Sequence, residues 1–95
     1  MITEVAFMSI HPGQESEFLA ALEQAKFVVA RAHGFRELDV KRGIERPSTF
    51  MLTLQWDTLE DHTEGFRGGP LFPEWRGHIG PFFAEAPVVE HWSAS

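Results

Sequence analysis

The chain has 95 residues and no cysteine, so it forms one domain, residues 1–95, with no disulfide and no thiolate metal site. Fourteen Asp and Glu against eight Lys and Arg leave a net charge of −6 with no basic run, which repels phosphate backbones and argues against nucleic acid as a partner. No apolar run approaches the roughly 18 residues of a membrane span, and no positive segment precedes the first apolar residues, so no membrane partner and a cytoplasmic location are expected.

Ile2 to Ile10 reads as a strand with two apolar faces, Val5 and Phe7 on one and Ala6, Met8 and Ile10 on the other. His11-Pro12-Gly13 ends it and opens a helix, because Pro fits a first helical turn and cannot continue a ladder. The spacing of Phe18, Leu22, Ala25 and Val29 predicts that helix over about residues 13–32, with Leu19, Ala21, Val28 and Ala32 widening the stripe. Glu15 and Glu17 near its start, and Lys26 and Arg31 near its end, complement the helix dipole, and Gly34 is the expected stop.

Phe35 to Ile44 reads as a strand with Leu38 and Val40 on one face and Glu37, Asp39 and Lys41 on the other. After the turn Glu45-Arg46-Pro47-Ser48, Thr49 to Trp56 alternates most clearly of all. Phe50, Leu52, Leu54 and Trp56 belong under helices. Thr49, Met51, Thr53 and Gln55 suit a half-buried interface.

Asp57-Thr58-Leu59-Glu60 reads as a capping box opening a second helix, which Gly68-Gly69-Pro70 breaks. Residues 71–79 form a further short helix, stopped by Gly80-Pro81. Phe82 and Phe83 lead into a last strand, Val88 to Trp92, and the tail over about residues 92–95 is expected to fray. The order β-α-β-β-α-β predicts an α+β, ferredoxin-like fold with an antiparallel sheet. Nine Phe and three Trp are a heavy aromatic load for a chain that buries about 60–65% of its unfolded surface. A homodimer that supplies part of the cover is therefore expected.

His62 is the leading candidate for chemistry. It falls mid-helix, on the face of Phe66, with Trp56 and Phe50 approaching from the sheet. A neutral imidazole among aromatics is a general base near pH 7. The alternative, which carries more weight on sequence alone, is a structural His62 bonded to a backbone carbonyl. Phe72 and Trp75 either wall a flat ligand or simply pack. Arg67 and Arg76 either anchor an anion or pair with Glu60, Glu64 or Glu74 at the surface. His78, three residues after Trp75, reaches the same cavity or solvent. His91 reads as a sheet or dimer contact, and His11 and His33 as solvated. No two histidines have helical ligand spacing, so no metal site is legible, and no phosphate loop or nucleophile motif is present.

The stretch Leu54-Gln55-Trp56-Asp57, Leu59-Glu60-Asp61-His62, Gly65-Phe66-Arg67, Leu71-Phe72-Pro73-Glu74-Trp75 and Pro87-Val88-Val89-Glu90-His91-Trp92 resembles the antibiotic biosynthesis monooxygenase (ABM) family. The resemblance spans nearly the whole chain. It implies a ferredoxin-like subunit pairing into a dimeric α+β barrel, and a cofactor-independent monooxygenase that oxidises a small aromatic or quinol-type substrate with O₂. It implies His62 as catalytic base or donor, Trp56 and Trp75 as substrate walls, and no cofactor. Phe66 as a further wall, Arg67 as an anion anchor and Phe72 and His78 as further substrate contacts are added from the residues themselves. The alternative is a non-catalytic dimeric module that binds a small apolar or aromatic ligand. Heme degradation, known in one branch of the superfamily, is disfavoured: Trp75 stands where the axial His would lie, and the chain has no Asn. It has no Tyr either, so the tyrosines of some family pockets have no counterpart.

Overall fold

A computed structural model describes residues 1–95. Its elements are β1 (Ile2–Ser9), α1 (Glu15–Val29), β2 (Phe35–Arg42), β3 (Thr49–Trp56), a π-helical segment (Asp61–Phe66), α2 (Leu71–Ile79), a 3-10 turn (Gly80–Phe82) and β4 (Val88–Ser93). The four strands form one antiparallel sheet in the order β2-β3-β1-β4, the ferredoxin-like arrangement.

Strand periodicity decides which side chains meet the helices. Ala6 and Met8 of β1, Ile10 just past its end, and Phe50, Leu52, Leu54 and Trp56 of β3 are buried, together with Phe18, Leu22, Ala25, Val28 and Val29 of α1. Phe18 packs on Phe50 with ring centroids 5.0 Å apart. Burying a Leu- or Phe-sized side chain stabilises by roughly 1.5–3 kcal/mol, so this layer holds the helices to the sheet. The opposite face behaves differently. Val5, Phe7 and Met51 are only half-buried, and Val88 and Trp92 are 57% and 59% exposed. Within one chain β1 therefore has one buried face rather than two.

Element ends differ from the sequence reading in several places. Gly13 takes φ +92°, a left-handed value, so Pro12-Gly13 is a turn ahead of α1 and the helix starts at Glu15. That carboxylate accepts from the Gly13 N–H at 3.0 Å and from the Ser48 hydroxyl at 2.6 Å, tying the β2–β3 turn to the helix start. The helix ends at Val29, and Gly34, at φ +82°, turns the chain into β2. A Cβ at Gly34 would collide with the Asp61 carboxylate, so the turn needs glycine for both reasons. β2 stops at Arg42, and Ile44 lies exposed in the turn. β4 runs on to Ser93, paired with Ile2, so Trp92 and Ser93 belong to the sheet and not to a frayed tail.

The largest departure lies after β3. The capping residue is Thr58, whose Oγ1 accepts from the Asp61 N–H at 3.1 Å, while Asp57 is held by Arg36 through two contacts of 2.6 and 2.7 Å. Beyond Glu60 the backbone widens into a π-helix, in which the Arg67 N–H reaches the His62 carbonyl at 2.9 Å. Such wide turns are rare and concentrate at functional sites.

Candidate functional site

The wide turn aims His62 and Phe66 at the sheet. His62 is 4% exposed, and its ring lies 5.3 Å from Trp56 and 6.2 Å from Phe66 between centroids. Phe66 meets Trp56 at 5.6 Å, Phe72 at 5.7 Å and Trp75 at 6.0 Å. One aromatic cluster thus joins β3, the π-helix and α2.

Beside it lies a cavity of about 90 Å³. Its walls are mostly apolar, with Ala6, Met8 and Leu54 from the sheet and Phe66, Phe72 and Trp75 from the helical side. Four polar side chains reach it: Glu4, His62, Arg67 and Arg76. Glu4 is the one that sequence reasoning missed. It is 6% exposed, an uncommon burial for a carboxylate. Its signal was present in the strand period, since Glu4 lies two residues before Ala6 and so faces the helices with Ala6, Met8 and Ile10.

Glu4 Oε1 accepts the Trp56 Nε1–H at 3.0 Å and lies 3.3 Å from His62 Nε2. On the other side of the ring, His62 Nδ1 is 2.8 Å from His91 Nε2. His91 stands directly opposite Glu4 in the β1–β4 register, so it faces the helices too. Neither sequence reading of the two histidines describes this: His62 bonds to no backbone carbonyl, and His91 is its direct partner. Because His62 gives its two ring nitrogens to different neighbours, Glu4, His62 and His91 do not converge on one point.

Burial dominates the electrostatics. It pushes the Glu4 carboxyl from its ordinary 4.5 up to about 7, against the lowering effects of the Trp56 hydrogen bond and the Arg67 charge. It pulls His62 from 6.5 down to about 4, helped by Coulombic repulsion between a charged imidazole and both His91 and Arg67. At neutral pH the site therefore holds a neutral imidazole beside a carboxyl poised to gain or lose a proton. Neither Arg67 nor Arg76 has a carboxylate partner. Arg76 lies over the Phe83 ring at 5.7 Å, and Glu74 is taken by Arg31 at 2.8 Å.

Of the residues singled out from sequence, His62, Phe66, Arg67, Phe72 and Trp75 line the cavity. Trp56 lies beneath it, fully buried, and acts on it through Glu4. His78 is not brought in. It lines a separate surface groove between α1 and α2 with Gln24, Phe27 and Arg31.

The family model for antibiotic biosynthesis monooxygenases matches residues 1–77. The chain belongs to this family. The uncharacterized protein YczJ of Bacillus subtilis is 36% identical over 92 residues, which cover 97% of each chain. A Bordetella bronchiseptica protein assigned to the same family is also 36% identical. Its crystal structure superposes with a TM-score of 0.95 over 99% of this chain and 96% of its own. SnoaB of Streptomyces nogalater, a cofactor-independent oxygenase, shares the fold at 16% identity, with a TM-score of 0.83 over 99% of this chain and 92% of its own. No helix of the family member described here is long and apolar enough to cross a membrane.

Proposed function

We propose that the protein is a homodimeric, cofactor-independent oxygenase that oxidises a small quinol-type aromatic with O₂. The observation that carries this reading is an apolar cavity with a buried carboxylate–histidine pair on its floor and two unpaired arginines on its wall. The volume, about 90 Å³, is below the roughly 150 Å³ of an engineered cavity that admits benzene. One ring is therefore the size that a modest shift of the walls would accept, and a fused tricyclic system is too large.

The chemistry asks little beyond proton handling and dryness. A phenol that loses its proton keeps the electron pair on oxygen and becomes electron-rich. It passes one electron to O₂, and the resulting radical and superoxide combine at a ring carbon as a peroxide. Loss of water then leaves a quinone, with one oxygen atom in the new carbonyl and the other in water. Phe66, Phe72 and Trp75 wall the ring and keep out water. Arg67 and Arg76 stabilise the developing anion. His62 is the residue whose removal stops turnover. Two copies are proposed to meet through the open sheet face, where Val88 and Trp92 of β4 stand exposed.

Oxygen uptake with a panel of substituted phenols and hydroquinones tests this reading in wild type and His62→Ala. Turnover in wild type that disappears in the dimeric variant supports it. Wild-type protein indistinguishable from buffer across the panel overturns it in favour of a ligand-binding module.

A further inference from the structure

Glu4 has one oxygen occupied and one spare. Oε1 takes the Trp56 indole N–H and faces His62, whereas Oε2 has no hydrogen-bond partner in the protein. It is not sealed in the core, because no fully enclosed side-chain oxygen is left unpartnered, and Glu4 itself lines the cavity. The free oxygen is therefore presented to whatever the cavity holds. Behind it runs a continuous line of ionisable groups. Glu4 Oε1 is 3.3 Å from His62 Nε2, and His62 Nδ1 is 2.8 Å from Nε2 of the half-buried His91 on the edge strand β4.

We propose that Glu4 is the catalytic base that takes the hydroxyl proton of a phenolic ligand on Oε2, and that His62 and His91 pass that proton to the edge of the sheet. The inference deepens the proposed oxygenase reading and rests on its ligand class. The step balances simply: the substrate O–H bond breaks, its electron pair stays on the phenolate oxygen, and an O–H bond forms on the carboxylate. The carboxyl then turns to bring its new O–H against His62 Nε2, which takes the proton as the His62 Nδ1 proton moves to His91 Nε2. His62 is suited to relaying rather than storing charge, because burial holds it neutral with a pKa of about 4. Glu4, raised to about 7, has an affinity matched to a phenol proton near neutrality. The groups facing it are Trp56 from β3, His62 from the π-helix, His91 from β4, and Arg67 and Arg76 from the helical side. Of these, Arg67 favours the carboxylate, and His91 disfavours a charge on His62.

The test uses para-nitrophenol, whose ionisation is visible by absorbance and needs no turnover. Bound to wild type, its absorbance is expected to titrate differently from that of the free phenol, because a proton shared with Glu4 couples the two ionisations. In Glu4→Gln that shift disappears, and oxygen uptake on any substrate that wild type turns over falls by about a hundredfold or more. His91→Phe keeps the ionisation shift and slows turnover in a pH-dependent manner. A carboxyl-selective NMR titration of wild type, independent of how any variant folds, is expected to place Glu4 well above ordinary carboxylates. An ordinary Glu4 titration, failure to bind para-nitrophenol, or a Glu4→Gln variant with the wild-type pH–rate profile each overturns the proposal. Loss of the oxygenase reading alone gives a different pattern, in which no substrate consumes oxygen while bound nitrophenol still ionises against Glu4.

Discussion

His62 and His91 hydrogen-bond across 29 residues of sequence, with Nδ1 of the first 2.8 Å from Nε2 of the second. The contact joins a π-helical turn to the edge strand and places a neutral imidazole between a second histidine and a buried carboxylate. Two of these groups titrate abnormally and in opposite directions, which makes the site visible in stability as well as in chemistry.

Glu4 is raised from 4.5 to about 7, so its contribution is fully present below 4.5 and is lost as pH rises through about 7. His62 is lowered from 6.5 to about 4, so its contribution is present above 6.5 and is lost as pH falls through about 4. Between 4.5 and 6.5 the two slopes oppose each other, and wild-type stability is expected to vary little there. Glu4→Gln leaves His62 unopposed, and stability should fall on acidification by an amount on the order of 3 kcal/mol. His62→Asn leaves Glu4 unopposed, and stability should rise instead. Denaturant midpoints across this pH window give both signs.

Trp56→Phe retains most of the ring packing and removes the N–H donated to Glu4. Because that bond lowers the Glu4 pKa, the carboxyl should titrate higher still in the variant. A cost of about 1–3 kcal/mol is expected for the lost buried hydrogen bond. NMR titration and chemical denaturation report the two effects separately.

Ala6→Leu should fill the cavity from its sheet wall, since Ala6 is buried and lines it. Ligand binding and any oxygen uptake should disappear, while stability changes by no more than about 3 kcal/mol. Retained binding in a folded variant would place the ligand elsewhere.

Trp92→Glu places a charge on the exposed sheet face, and two-fold symmetry repeats it on the partner. The proposed dimer should dissociate with its subunits still folded. Sedimentation checks the first outcome and circular dichroism the second.

Gly34→Ala should destabilise by about 1–3 kcal/mol, because the position has φ +82° and an added Cβ meets the Asp61 carboxylate. Combining it with Asp61→Ala should recover only the part due to the collision. Thermal melts of the single and double variants separate the two causes.

Composition and periodicity carried the fold a long way. The alternation of Phe50, Leu52, Leu54 and Trp56, the helical stripe Phe18-Leu22-Ala25-Val29 and the Gly68-Gly69-Pro70 break all lie where local patterning puts them. These features follow from near neighbours in sequence, since strand and helix periods tell each side chain which way to face. Much of the aromatic cavity wall was legible for the same reason, and so was the inward face on which Glu4 sits. The π-helix, the move of the cap from Asp57 to Thr58, and the turning away of His78 depended instead on how the segment after β3 settles over the sheet. The Glu4–His62–His91 line depended on strand order. β1 lies between β3 and β4, so residues near both ends of the chain meet beneath a helix from its middle, and only that assembly brings Glu4 into a medium dry enough to raise its pKa.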